Sequence, residues 1–100
     1  PATPLSIVKP GELDAVVASL SEGGQHIAVL AQRQPLGTYR HVTWVNAGTR
    51  VDGYAHDLYA HLRGLDRSGC VRILVQAVPE EERWDAVRDR LNRAAAGSLL

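Results

Sequence analysis

Two rhythms of hydrophobic and polar positions alternate along the chain. Ala55, Leu58, Tyr59, Leu62 and Leu65 recur at three- and four-residue spacing, which gathers them on one face of a predicted helix over Tyr54–Arg67. Trp84, Val87, Leu91, Ala94 and Ala95 repeat that spacing in a second run, which Pro79 opens and Ala95 closes. Ser68-Gly69 breaks the first run, and the apolar stretch Cys70–Val78 lies between the two. Within it Val71-Arg72-Ile73-Leu74-Val75 is β-branched and nearly continuous in apolar residues, the pattern of a strand covered on both faces. Neither helix buries its stripe without a sheet, so the first half of the chain has to supply one.

It does so with shorter signals. Leu5-Ser6-Ile7-Val8 reads as a strand, and Lys9-Pro10-Gly11 turns into a helix whose Leu13, Val16, Val17 and Leu20 fall at i, i+3, i+4 and i+7. Glu12 and Asp14 lie in its first turn, where the helix dipole favours negative charge. Gly23-Gly24 stops it. His26–Ala31 is an apolar strand, central or nearly so; Gln32–Tyr39 is a loop; Arg40–Asn46 is a third strand; and Ala47–Gly53 leads into the helix over 54–67. The order βαβ-β-αβα predicts an α/β domain with a mostly parallel sheet of about four strands and helices on both faces. One connection strains this topology. Parallel neighbours usually need a crossover of about a dozen residues, and Gln32–Tyr39 is shorter. The loop therefore crosses in an extended form or the third strand runs antiparallel.

One hundred residues suffice for one core. Eleven basic residues balance eleven acidic ones, which argues against strong direct nucleic-acid binding, since phosphate binding needs clustered excess cation. No apolar run approaches the ~20 residues that span a bilayer. Cys70 stands alone in a predicted buried strand and is read as a small core hydrophobe, and a single cysteine without an internal disulfide fits a reducing cytoplasm. The chain has no Met and opens Pro1-Ala2-Thr3-Pro4, so it is expected to be a domain excised from a longer protein.

The residues offer little catalytic chemistry. In an open α/β sheet the ligand crevice lies beyond the carboxyl ends of the strands, where strand order reverses. If the first strand lies between the second and third, that crevice falls between Lys9-Pro10-Gly11 and Asn46-Ala47-Gly48, making Lys9, Asn46 and Gly48 the candidate lining. No glycine-rich phosphate loop accompanies them. The strand ends offer Lys9, Gln32, Asn46 and Pro79, not the carboxylates a phosphoacceptor needs. His56 and His61 are five apart on one helix, off the i, i+4 line a zinc pair uses, and no catalytic, cofactor-binding or metal residues are assigned. On the last helix Glu80, Glu81 and Glu82 precede Arg83, Arg88, Arg90 and Arg93, in keeping with the dipole, and Asp89–Arg93 is an i, i+4 pair.

Leu58-Tyr59-Ala60-His61-Leu62-Arg63-Gly64-Leu65-Asp66, then Gly69, Ile73-Leu74-Val75 and Asp89-Arg90-Leu91-Asn92-Arg93-Ala94-Ala95, together resemble the C-terminal domain of the long, two-domain form of threonylcarbamoyl-AMP synthase. Pro1-Ala2-Thr3-Pro4-Leu5 is similar to the segment just after that family's histidine-tyrosine-alanine-proline linker. The resemblance implies a Rossmann-like, three-layer α/β/α accessory domain that is not itself catalytic, and in it a third strand that runs parallel. It implies as partner an N-terminal catalytic domain of the same protein, which uses ATP, with magnesium, to condense L-threonine and bicarbonate into threonylcarbamoyl-AMP. The product serves tRNA modification, so tRNA is met only indirectly. Arg63, Asp66 and Arg90 become candidate contacts to the linker or the neighbouring domain, with Arg63–Asp66 pairing inside the domain as the alternative for the first two. Three features depart from the family pattern: Glu82-Arg83-Trp84 replaces a glycine turn, Asp89 replaces an asparagine, and the segment 32–39 is short. The expected organisation is 1–4 as the end of a linker, 5–97 as the domain and 98–100 as a tail. A free-standing, flavodoxin-like small-ligand-binding domain is the alternative.

Overall fold

In a computed structural model, which describes residues 1–98, the apolar runs form four strands and three helices. They are β1 (Leu5–Val8), α1 (Leu13–Ser21), β2 (Ile27–Ala31), β3 (Val42–Asn46), α2 (Val51–Asp66), β4 (Arg72–Gln76) and α3 (Asp85–Gly97). Single 3-10 turns, Pro10–Glu12 and Glu82–Trp84, lead into α1 and α3. The strands form one parallel sheet in the order β1-β4-β2-β3. The two strands with unbroken apolar runs, β4 and β2, take the middle, in register through Ala28 opposite Ile73 and Leu30 opposite Val75. The third strand is parallel, as expected, with Ile27 opposite Val42.

The connection β1-α1-β2 steps past β4 in one direction, and β3-α2-β4 steps back past β2 in the other. Right-handed crossovers that step in opposite directions place their helices on opposite faces. Accordingly Leu13 and Val17 of α1 pack on Ile27, Val29, Ala31 and Leu74. On the other face Tyr54, Leu58 and Leu65 of α2 and Val87 and Leu91 of α3 pack on Ala28, Leu30, Ile73 and Val75. Trp84 joins these two helices, its ring edge-on to Tyr54 at 5.3 Å. Burial also raises the pKa of the Tyr54 hydroxyl, which has no hydrogen-bond partner among the described residues. Cys70 is buried, its Sγ 3.3 Å from the Leu65 carbonyl.

Several boundaries differ from the sequence expectation. The buried line of α2 runs through Tyr54, Leu58 and Leu65, so Leu62 is half-buried and Tyr59, one residue round the helix from Leu58, is 72 % exposed. Pro79 does not open α3: the chain bends at Glu80 and Glu81 and turns at Glu82–Trp84 to bring Trp84 into the core, so the helix begins at Asp85. Of the expected tail 98–100 only Ser98 lies among the described residues, and it is held. Ser98 Oγ accepts the Leu5 N–H at 2.9 Å and donates to the Ala95 carbonyl at 2.8 Å, tying the end of α3 to the start of β1; residues 99–100 lie outside the described residues.

The short segment between β2 and β3 carries no helix, and side chains cover the sheet there. Tyr39 and Trp44 stack at 6.4 Å over that corner, and Asp14 of α1 holds the loop down. Its carboxylate accepts the Leu36 N–H and the Tyr39 hydroxyl, both at 2.8 Å, and pairs with Arg33 at 2.6 Å. The Arg33 carbonyl in turn accepts the Trp44 indole N–H at 2.8 Å. His41, at φ 58, makes the left-handed turn into β3. Burial raises the Asp14 pKa, but the hydrogen bonds from Leu36, Tyr39 and Arg33, with the charge of Arg33, outweigh it and leave the pKa below its ordinary 3.8.

Urea unfolding checks both features. Leu65→Ala should lower stability by about 3 kcal/mol and Leu62→Ala by less than half of that, because the cost scales with the void left behind; equal losses would move the centre of the buried face. Asp14→Ala should cost about 1–3 kcal/mol by leaving its donors unpaired. Because the folded-state pKa of Asp14 is depressed, its contribution is present above the ordinary carboxylate value and is lost as pH falls through the lower, folded one. A variant whose stability shows the same acid limb as the parent would remove Asp14 from this role.

Candidate functional site

The N-terminal segment, expected as an extended linker, is docked, with a bend at Thr3. Asp66, the last residue of α2, accepts the Thr3 N–H at 2.9 Å on one carboxylate oxygen and the Ala2 N–H at 3.2 Å on the other. Hydrogen bonds from the Thr3 side chain and then from the Thr3 and Ala2 backbone hold the Asp66 pKa below the ordinary value. The Pro4 carbonyl accepts the Ile73 N–H at 2.8 Å, so the segment runs from this carboxylate directly into the β1–β4 ladder. Gly69, at φ +84, turns the chain from α2 toward β4 beside it.

Asp66 does not pair with Arg63. The Arg63 guanidinium lies over the exposed Tyr59 ring, 4.7 Å from its centroid, four residues back along α2. Both line a groove of about 580 Å³ between α2 and α3, together with Leu62, Asp66, Arg67 and Arg93, and Pro1 sits at its edge. Arg93 pairs with Asp89 at 2.9 Å, the i, i+4 pair expected from the sequence. Of the three candidate contacts, Arg63 and Asp66 thus share the groove. Arg90 is exposed on α3 outside that lining. Tyr59, Arg67 and Arg93 belong to the groove and were not singled out for it. The signal was a tyrosine four residues before an arginine, which places a cation over an aromatic face on a helix.

The crevice candidates are arranged differently from the expectation. β1 is an edge strand, with β4 and β2 between it and β3, so Lys9, just after β1, and Asn46, the last residue of β3, stand at opposite edges. Two glutamines bridge the gap. Gln76 Oε1 accepts the Gln32 N–H at 2.8 Å, and Gln32 Nε2 donates to the Gly48 carbonyl at 3.3 Å. Asn46 Oδ1 accepts the Gly48 N–H at 3.0 Å, with Gly48 at φ +79. Lys9 lines a hollow of about 430 Å³ with both glutamines. Among the described residues no group of three His, Cys, Asp or Glu side chains is placed to hold a metal ion, and no helix is long and apolar enough to cross a membrane.

Comparison with known proteins identifies the domain type. Residues 1–96 match the family described as "Threonylcarbamoyl-AMP synthase, C-terminal domain". The fold is similar to that of P. abyssi Sua5 in two solved structures. One is a variant in which a histidine and a tyrosine are each replaced by alanine (23 % identity, TM-score 0.81), and the other is a complex with L-threonine (24 % identity, TM-score 0.77). Each match covers 98 % of this chain and 29 % of the Sua5 chain, so this chain spans under a third of the length of those proteins. No curated protein matches the sequence.

Replacing Asp66 by alanine should free the N-terminal segment and leave the core intact. Amide exchange at Thr3 is expected to quicken by about tenfold or more while that at Leu74 stays unchanged. In the parent chain the same release should appear on acidification alone: with the Asp66 pKa depressed, the clamp is fully present above the ordinary 3.8 and is lost as pH falls through the lower, folded-state value. Unaltered exchange at Thr3 in the variant would show that the segment is held by other contacts.

Proposed function

The chain belongs to the family of threonylcarbamoyl-AMP synthase C-terminal domains, and from that premise we propose that it is the non-catalytic accessory domain of such an enzyme, fixing the linker that covers and uncovers the catalytic pocket. The observation that carries the proposal is the capture of the Ala2 and Thr3 N–H groups by Asp66. A tether whose last residues are clamped leaves its domain in a set direction, which narrows the positions that the segment ahead of it samples. Opening and closing a covering segment is a common way for turnover to be gated. The groove beside the clamp, with Arg63 and Tyr59 on its wall, is the surface assigned to the linker and the catalytic neighbour. Arg90, exposed on the same helix as Arg93, is assigned to the rim of that contact.

In this reading the condensation of ATP, L-threonine and bicarbonate, with release of pyrophosphate, takes place in the N-terminal domain of the whole protein. ATP and magnesium bind there, in the cytoplasm, and tRNA is met only through later steps. The residues of this chain fit that division: no glycine-rich phosphate loop occurs in the sequence, and the strands end in Val8, Ala31, Asn46 and Gln76. The alternative, a free-standing flavodoxin-like ligand-binding domain, has the carboxyl-end hollow in its favour but leaves the clamp on residues 2 and 3 unexplained.

Purified by itself, the chain should release no pyrophosphate from ATP in the presence of threonine and bicarbonate, and measurable turnover would reject the accessory role. In the whole enzyme Asp66→Ala should lower pyrophosphate release several-fold while every catalytic-domain residue stays in place. A rate equal to the parent's would separate the clamp from catalysis.

A further inference from the structure

We propose that the hollow at the carboxyl ends of β1, β4 and β2 binds a small zwitterion of the α-amino acid class. This site is distinct from the groove between α2 and α3. It lies at the carboxyl ends of β4 and β2, from which the chain leaves in opposite directions along the sheet, toward α3 over β1 and toward β3, the position at which open parallel sheets hold their ligands.

Its floor is made by two side chains that are each only 9 % exposed, Gln32 and Gln76. One end of each amide is already engaged, and the engagement fixes which end. Gln76 Oε1 faces the Gln32 N–H, a donor, so the Gln76 NH₂ is left over. Gln32 Nε2 faces the Gly48 carbonyl, an acceptor, so the Gln32 carbonyl oxygen is left over. Among the described residues neither remaining group has a partner. The walls repeat this division in charge. Lys9, after β1, and Glu80, after β4, both line it, both are exposed, and neither forms an ion pair among the described residues. Val78 and Pro79 add apolar surface to the lining.

A ligand that satisfies this set carries a carboxylate for Lys9 and the Gln76 NH₂, and an ammonium for Glu80 and the Gln32 carbonyl. Its small apolar body lies on Val78 and Pro79. A phosphate dianion would meet Glu80, and a simple amine would meet Lys9, so each charge excludes one of the single-sign ligands. The hollow, about 430 Å³, suits a compact molecule. With few heavy atoms and a mostly open site, the affinity falls on the order of millimolar.

Heteronuclear NMR of the labelled chain, titrated with L-threonine, L-alanine and glycine, tests this. Acetate and methylammonium serve as single-charge probes at matched ionic strength. The expected result is saturable shifts at the amides of Lys9, Gln32, Gln76 and Glu80 that share one Kd for at least one amino acid, with both single-charge probes about tenfold weaker or worse. Lys9→Ala and Glu80→Ala, at exposed positions that leave the core untouched, should each weaken that binding by about the same factor. Shifts that stay linear to about 100 mM for every probe would overturn the site, and so would shifts confined to the groove between α2 and α3. Acetate binding as tightly as the amino acids, or an unchanged Kd in both variants, would overturn the ligand class. Amino acid binding here is independent of whether the chain alone releases pyrophosphate, so the accessory reading and this one fail separately.

Discussion

The structure depends on one constraint: β4 and β2 are apolar on both faces and so have to be covered on both faces. A parallel sheet meets that demand only by crossing over, and a crossover of fixed hand chooses its face by the direction in which it steps. Placing β4 between β1 and β2 makes the chain step one way through α1 and the other way through α2. The oppositely directed steps put α1 under one face and α2 over the other, and α3 then fills the space over β1 beside α2. The edge strands β1 and β3 are correspondingly less apolar and less buried.

Where that scheme runs out of helix or of ladder, a single polar side chain completes it. Between β2 and β3 there is no room for a helix, and Asp14 gathers the loop so that Tyr39 and Trp44 lie over the exposed corner. At the end of β2 the chain of β4 turns away, and the Gln76 amide supplies the acceptor that the departing backbone no longer offers to the Gln32 N–H. Ahead of β1 the ladder begins at Pro4, and Asp66 takes up the two N–H groups before it. Each acts by the same rule: a backbone donor left without a partner is expensive, and a carboxylate or amide of the right reach removes that penalty. The two functional readings grow from two of these repairs, the clamp from Asp66 and the amino acid site from the unused ends of Gln76 and Gln32.

The sequence by itself determined the order of elements, a mostly parallel sheet and the family, with the direction of the third strand resting on the family resemblance alone. Those follow from local periodicity and from a string of positions, Leu58 to Asp66 and Asp89 to Ala95, that sit in consecutive turns of helix. It also determined that Val17, Leu58, Leu91 and the centre of β4 lie inside, because an unbroken apolar run or a 3.6-residue stripe has only one way to be buried. Which strand stands beside which is not local, and only the tertiary structure decided it. With β1 at the edge, the crevice residues Lys9 and Asn46 are separated and Gln32 and Gln76 meet instead. The same holds for the partner of Asp66. Arg63 is three residues away and of opposite charge, yet the carboxylate turns to the backbone of residues 2 and 3, brought back by the docking of β1 on β4, while Arg63 rests on Tyr59. A helical stripe fixes a face but not its centre, so Tyr59 fell to solvent and Tyr54 to the core only once α2 was set on the sheet. Contacts between residues far apart along the chain depend on the closure of the whole fold, and no spacing within one segment encodes them.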